Sequence, residues 1–201
     1  MRVLCPNKAT LSVGDRITTS TRAVFNVHDG AYVGTTNAAE SYAFYIGNKA
    51  GTVGIVNLFG GETRGGTGDN IWVGVAGSGE LNVSGGTLYV DKTLVVGGNA
   101  TTDSATSVFR QTSGDVYAGD GVQVCGNSNG GASNNRACDV FLDGGILEAS
   151  NIYGGGGRGA VGGTAARRRI RSTPPRCLST CLSRNCRGRR TRRRSACAAP
   201  A

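Results

Sequence analysis

A repeated frame of three short strand-like segments constrains the fold of this chain more than any other feature. Its clearest copy, residues 79–97, turns at Gly85-Gly86 and again at Asp91-Lys92. Apolar and polar residues alternate between the turns, and the apolar ones are Leu81, Val83, Leu88, Val90, Leu94 and Val96. Because alternate residues of a strand point to the same side, these side chains share one face, as in half-buried strands.

The frame recurs along the chain. Its first turn appears as Asp29-Gly30, Gly60-Gly61, Gly85-Gly86, Gly114-Asp115 and Gly144-Gly145. A closing glycine appears at Gly47, Gly74, Gly97, Gly126 and Gly154, at intervals of 27, 23, 29 and 28 residues. Such intervals are typical of one solenoid coil followed by a polar loop of variable length.

Stacking explains why such units would fold. One unit buries too few apolar side chains to offset the entropy of ordering it, whereas parallel stacking supplies backbone partners and a continuous core. An antiparallel sandwich would not explain the three-strand frame. The sequence therefore predicts an all-β, parallel β-helix (β-solenoid) of about five coils. In the fourth unit an ungapped alignment puts Arg110, Thr112 and Gln123 at inward positions, so that coil is either shifted in register or poorly filled.

Composition divides the chain near residue 158. Residues 1–22 are expected to form a lead-in with a partial coil, residues 23–157 the solenoid, and residues 158–201 a disordered, Arg-rich tail. The tail holds 13 of the 22 basic residues and no Asp or Glu, so residues 1–157 carry a formal net charge of −4. The high sequence pI of 9.6 is therefore due to the basic residues of the tail, and residues 1–157 are acidic overall.

Three interpretations of the tail are open. It could be a basic arm that binds nucleic acid, a natural disordered tail, or the product of a shifted reading frame in GC-rich DNA. We favour the shifted frame, because acidic and aromatic residues vanish where a sixth unit should begin. No nucleic-acid partner is therefore expected.

The frame Leu-Asn-Val-Ser-Gly-Gly-Thr-Leu-Tyr-Val at residues 81–90, followed by Leu-Val-Val-Gly-Gly at residues 94–98, resembles a known repeat. It is similar to the glycine-rich repeats of bacterial autotransporter passenger regions and of PEP-CTERM-associated exported proteins. The resemblance covers residues 23–157 and implies a right-handed parallel β-helix, export to the cell surface, and a longer chain with more repeats. No signal peptide or membrane span is visible. We therefore expect a fragment of an extracellular or cell-surface protein.

Two cysteines, Cys125 and Cys138, bracket a polar loop. A disulfide between them would close a short loop and stabilise an exported protein by roughly 2–3 kcal/mol. The alternative is two unrelated small core residues, since the ungapped alignment places Cys125 at the inward position of Val96. Cys177, Cys181 and Cys186 lack the paired two-residue spacing of a common zinc site, so no metal role is expected.

Two motifs and the single histidine suggest other binding sites, but turns and surface positions explain them better. Residues 65–73 are similar to the calcium-binding nonapeptide of β-rolls, but the motif occurs once and its aspartate falls early. The pattern Gly154-x-Gly156-x-x-Gly159 matches the dinucleotide fingerprint, yet no acidic residue follows it. His28 aligns with Ser84, a solvent-facing position.

Asp91, Asp120 and Ser150 align at one corner of the ungapped repeat. A polysaccharide-cleaving β-helix would gather carboxylates in this way, although turns also favour aspartate in solvent. We predict a non-enzymatic structural or adhesive segment, with no catalytic residue, cofactor or metal. Its partners would be polysaccharides or neighbouring surface proteins. The alternatives are a polysaccharide lyase or hydrolase and nucleic-acid binding through the tail.

Overall fold

A computed structural model describes residues 1–5, 9–15, 22–34, 42–65, 68–98, 105–125, 137–154 and 168–172. These residues form strands and turns and contain no helix. The strands are β1 (Arg2–Leu4), β2 (Ala9–Val13), β3 (Arg22–Val27), β4 (Tyr32–Gly34), β5 (Tyr42–Ile46), β6 (Val53–Leu58), β7 (Glu62–Arg64), β8 (Ile71–Val73), β9 (Ser78–Val90), β10 (Thr93–Val96), β11 (Thr106–Ala118), β12 (Gly121–Val124), β13 (Ala137–Leu142), β14 (Ile146–Ala149), β15 (Ile152–Gly154) and β16 (Arg168–Ser172).

The strands stack in parallel in three columns. Column 1 contains β3, β6, the first halves of β9 and β11, β13 and β16. Column 2 contains β1, β4, β7, the second halves of β9 and β11, and β14. Column 3 contains β2, β5, β8, β10, β12 and β15. Between β3 and β15 the chain passes through all three columns five times, which confirms the predicted β-solenoid. Its right-handed sense stays a prediction.

The alternating apolar residues of the clearest repeat point inward as predicted. Leu81, Val83, Leu88, Val90, Leu94 and Val96 are each no more than 2% exposed. They belong to one apolar cluster that extends from Cys5 and Val13 to Val140. The core is therefore continuous along the stack, and each coil contributes only a few side chains to it.

From the second coil onward, the first turn requires glycine because the corners stack directly on one another. Gly86 has a φ of 70°, and a Cβ atom added there would lie 2.5 Å from the carbonyl oxygen of Gly61. The next corner repeats this arrangement, since a Cβ on Gly114 would lie 2.7 Å from the carbonyl oxygen of Gly86. The left-handed backbone and the close approach both exclude larger residues.

The fourth coil is shifted in register rather than poorly filled. The inward residues Phe109, Gln111 and Val122 pair with Leu81, Val83 and Leu94 respectively. The ungapped placement of Arg110, Thr112 and Gln123 at these positions was therefore wrong by one residue. A β-bulge follows Gln111, whose side-chain amide donates hydrogen bonds of 2.9 Å to the carbonyl oxygens of Gly114 and Ile146. These bonds explain how an amide, only 1% exposed, is accommodated in the core.

One strand lies in the segment for which disorder was expected. β16 pairs in parallel with β13, from Cys138 opposite Arg168 to Leu142 opposite Ser172. Backbone pairing needs only N–H and C=O groups, so an exposed strand edge can bind a segment that lacks an apolar pattern. The structure thus places a paired strand, Arg168–Ser172, within the predicted tail. The other residues of 158–201 lie outside the described residues.

Candidate functional site

The predicted column of Asp91, Asp120 and Ser150 is not formed. The backbone N–H of Asp120 donates to the carbonyl oxygen of Lys92 at 2.8 Å, so Asp120 stacks on Lys92. The residue that stacks on Asp91 is Gly119, and the hydroxyl of Ser150 donates to the carbonyl oxygen of Gly119. The alignment was wrong by the same one-residue shift that affects the rest of this coil. The two carboxylates therefore belong to different stacks.

Two hydrogen bonds join the calcium-like motif at residues 65–73 to the turn of the next coil. The carboxylate of Asp91 accepts a hydrogen bond of 2.5 Å from the N–H of Gly68. The side-chain oxygen of Asn70 accepts one of 3.1 Å from the N–H of Thr93 in the next coil. These contacts are those of a corner loop that ties adjacent coils together.

The structure places His28 at the surface, where its ring stacks on Phe59 with a centroid distance of 5.0 Å. Gly156 and Gly159 of the dinucleotide-like pattern lie outside the described residues, as do Cys177, Cys181 and Cys186. The described residues hold no group of three or more His, Cys, Asp or Glu side chains arranged to bind a metal ion.

Cys125 and Cys138 are joined by a disulfide, with their Cα atoms 5.6 Å apart. Cys125 has a φ of 52°, and its N–H donates to the carbonyl oxygen of Val96 at 2.7 Å. Gly97 makes the equivalent bond to Val73 one coil below. Cys125 therefore occupies the closing position that was predicted for Gly126, and its alignment with Val96 was wrong. The bridge covers Gly97, where an added Cβ would lie 2.5 Å from the sulfur of Cys138.

The outward face of column 1 carries a ladder of amide side chains. Asn57 donates a hydrogen bond of 2.8 Å to Asn26, and Asn82 donates one of 2.9 Å to Asn57. Asn82 also donates to Glu80 at 2.9 Å. These asparagines pair directly in register, so the apolar-Asn-apolar motif seen in the sequence builds a continuous hydrogen-bonded row across three coils.

On this face an arginine and a phenylalanine follow the asparagines in the next two coils. Arg110 pairs with Asn82 on one side and with Phe141 on the other. Its guanidinium carbon lies 4.2 Å from the centre of the Phe141 ring, and its Nη1 lies 3.7 Å from Oδ2 of Asp143. Arg110 is therefore held between an aromatic ring and a carboxylate.

The outward face of column 2 carries a second ladder, formed by Arg64, Tyr89, Tyr117 and Glu148 in successive coils. The guanidinium carbon of Arg64 lies 4.5 Å from the centre of the Tyr89 ring, and Nε of Arg64 lies 3.3 Å from Oε1 of Glu62. The rings of Tyr89 and Tyr117 stack with a centroid distance of 5.1 Å and an interplanar angle of 13°. This separation is close to the spacing of about 4.8 Å between neighbouring strands. The rings therefore present their edges outward and face one another along the stack.

The side chains around Tyr117 include two carboxylates and give it a negatively charged environment. The pKa of its phenol is raised, chiefly by the carboxylate of Asp115 and to a smaller extent by desolvation, by Tyr89 and by Glu148. Asp115 lies two residues before Tyr117 on the same face of β11, and Glu148 pairs with Tyr117 in the coil above. A negative charge on the phenolate is therefore disfavoured here, whereas a cation would be attracted.

The tyrosine ladder was not among the sites predicted from the sequence. A signal for it exists, because Leu88-Tyr89-Val90 and Val116-Tyr117-Ala118 occupy the same place in consecutive units. Recognising that signal requires the correct register of the fourth coil, which the ungapped alignment did not give.

The comparisons with known proteins add no assignment: no family model, curated protein or solved structure matches the chain. In the described part of the chain, no helix is long and apolar enough to cross a membrane.

Proposed function

We propose that this chain is a non-enzymatic scaffold segment of an exported surface protein, and that its outward faces make adhesive contacts. The observation that carries the proposal is the tyrosine ladder on column 2, together with the asparagine ladder on column 1. Like side chains lie at the spacing of neighbouring strands in both ladders, over two coils for tyrosine and three for asparagine. A rigid row of equivalent polar groups suits a repetitive partner, because many weak contacts then act together.

The proposed partner is a polysaccharide or a neighbouring surface protein. Phenol hydroxyls and side-chain amides donate and accept hydrogen bonds, as sugar hydroxyls do. The ring faces of Tyr89 are occupied by Arg64 and Tyr117, so a sugar would contact the ring edges and hydroxyl groups rather than stack on the rings. Such contacts support retention of a polymer through many sites rather than a deep pocket for one residue.

Two observations support the proposal that the protein is exported. They are the disulfide and the resemblance of the repeats to those of autotransporter passenger regions and PEP-CTERM-associated proteins. The Cys125–Cys138 bridge belongs in an oxidising compartment, since cytosolic thiols are kept reduced. If the protein acts outside the cell, material recovered there should show Cys125 and Cys138 blocked to alkylation, whereas Cys5 reacts after unfolding. Recovery of the thiols of Cys125 and Cys138 in reduced form would argue for a cytosolic protein.

The test of function is incubation of the purified chain with pectin, alginate and glucan, both on affinity columns and in solution. We expect retention on at least one polymer, with no increase in reducing ends or unsaturated products. Replacing Tyr89 and Tyr117 together by leucine should weaken retention, whereas Asp120→Asn, at an exposed corner of the same coil, should not. Turnover that is abolished by Asp91→Ala or Asp120→Ala would overturn the scaffold proposal in favour of a polysaccharide-cleaving enzyme.

A further inference from the structure

The fold holds arginine side chains in one recurring environment. Arg64 and Arg110 lie on different columns, yet each has its guanidinium over an aromatic ring and beside a carboxylate oxygen. A planar guanidinium suits such a place, since it can stack on a ring while its N–H groups donate to a carboxylate. On the outward faces of this sheet, a guanidinium is therefore bound where an aromatic ring lies near a carboxylate.

A third environment of the same composition lies at Tyr117. One face of its ring stacks on Tyr89, and Glu148 is its register partner in the coil above. Asp115 supplies a second carboxylate on the same face of β11, and both carboxylates raise the pKa of the phenol. The two ion pairs seen among the described residues involve Glu62 and Asp143 instead. Tyr117, Asp115 and Glu148 thus provide the same kinds of group that hold Arg64, a ring and a carboxylate. In the described part of the chain, neither ion pair brings an arginine to them.

We propose that Asp115, Tyr117 and Glu148 form a docking position for an arginine side chain of a neighbouring protein. The inference deepens the proposed adhesive function and rests on it, because it assigns one outward contact to a protein partner. Charge complementarity carries the choice of partner, because two carboxylates beside a ring edge attract a cation. An arginine matches the position better than a lysine, since the planar guanidinium can donate N–H groups to both carboxylates while it contacts the ring edge.

The strength of a single contact is expected to be small. Tyr117 and Asp115 are half-buried and Glu148 is exposed, so water screens the ion pairs. A useful probe therefore carries several arginines in an extended peptide, and its control is the same peptide with citrulline, which keeps the shape but removes the charge. The titration is done with the full chain at low salt. All variants share the same C-terminal segment, so its own arginines contribute equally to each measurement.

The experiment follows the ring resonances of Tyr117 by NMR and the affinity for the arginine peptide. We expect Glu148→Gln and Tyr117→Leu each to weaken binding roughly two- to fivefold. Tyr117→Phe keeps the ring and should bind like the unaltered chain. Asp120→Asn removes an exposed charge from the same coil and should also leave the affinity unchanged.

Three results would overturn the inference. Equal binding of the citrulline peptide would exclude a charged contact, and equal weakening by Asp120→Asn and Glu148→Gln would reduce the effect to net charge. Equal affinities of Tyr117→Phe and Tyr117→Leu would remove the ring from the contact. These outcomes are separable from failure of the scaffold proposal, because polysaccharide turnover would overturn that proposal without altering the peptide titrations.

Discussion

At the scale of single residues, two glycines with nearly the same backbone conformation have different surroundings. Gly30 and Gly86 occupy the same turn of the repeat, with φ values of 71° and 70°. A Cβ atom on Gly30 would meet nothing within 4 Å, whereas one on Gly86 would lie 2.5 Å from the carbonyl oxygen of Gly61. The pair therefore separates the cost of a left-handed backbone from the cost of a steric clash between coils.

We expect Gly30→Ala to lower the free energy of unfolding by about 1–2 kcal/mol, the cost of a left-handed conformation for a residue with a Cβ. Gly86→Ala should cost clearly more, because its methyl group must also displace the backbone of the neighbouring coil. Urea denaturation of both variants measures the difference. Equal losses of stability would show that the corners are not packed as closely as the structure indicates.

At the scale of the elements, the corner between columns 3 and 1 is closed in different ways along the stack. Gly47 and Gly74 end their coils before loops that are short, and a Cβ on Gly79 would lie 2.2 Å from the nitrogen of Gly74. The corner after β12 has a longer loop and is closed by the Cys125–Cys138 disulfide, although Cys125 keeps the positive φ of its glycine counterparts. The covalent bond thus closes the corner that precedes the longest of these loops.

This corner gives a second prediction. Removing the bridge with Cys125→Ala and Cys138→Ala should lower the free energy of unfolding by about 3 kcal/mol for a loop of this length. Combining Cys125→Gly with Cys138→Ala should recover about 1 kcal/mol of that loss, because glycine adopts a positive φ without strain. Denaturation of the disulfide-bonded chain and of the two double variants, all without reductant, measures both differences. If the two double variants unfold at the same denaturant concentration, the backbone at Cys125 is not strained.

The predictability of the fold differs between its parts for physical reasons. Alternation of apolar residues was enough to predict the three columns and the inward side chains of residues 79–97, because a strand has a period of two. Register between coils was not predictable for the fourth coil, since a slip of one residue exchanges its two faces. The ungapped alignment relied on a closing glycine at Gly126, but Cys125 holds that conformation. The acidic corner was consequently misplaced, and the stacking of Tyr89 on Tyr117 was missed.

At the scale of the whole molecule, each coil contacts chiefly the coils above and below it. Stability in such a stack is close to a sum of coil and interface contributions, so a terminal strand protects mainly its neighbour. β16 is the last described strand of column 1, and it covers the edge of β13 over five register pairs. Any contribution of residues 158–201 to the stability of the fold is therefore expected from the pairing of β16 with β13. The positive charge of this segment is not expected to contribute.

A third prediction concerns two shortened chains, one that ends at Gly157 and one that ends at Ser172. The longer chain keeps β16 and should melt at the same temperature as the full chain. The shorter one leaves the edge of β13 without its partner, and each kcal/mol of lost stability should lower the melting temperature by about 2–4 °C. Ile170→Pro in the full chain should reproduce that loss, because proline removes a backbone donor from the strand. Identical melting of the two shortened chains would show that β16 adds nothing to stability and that the solenoid is complete by residue 157.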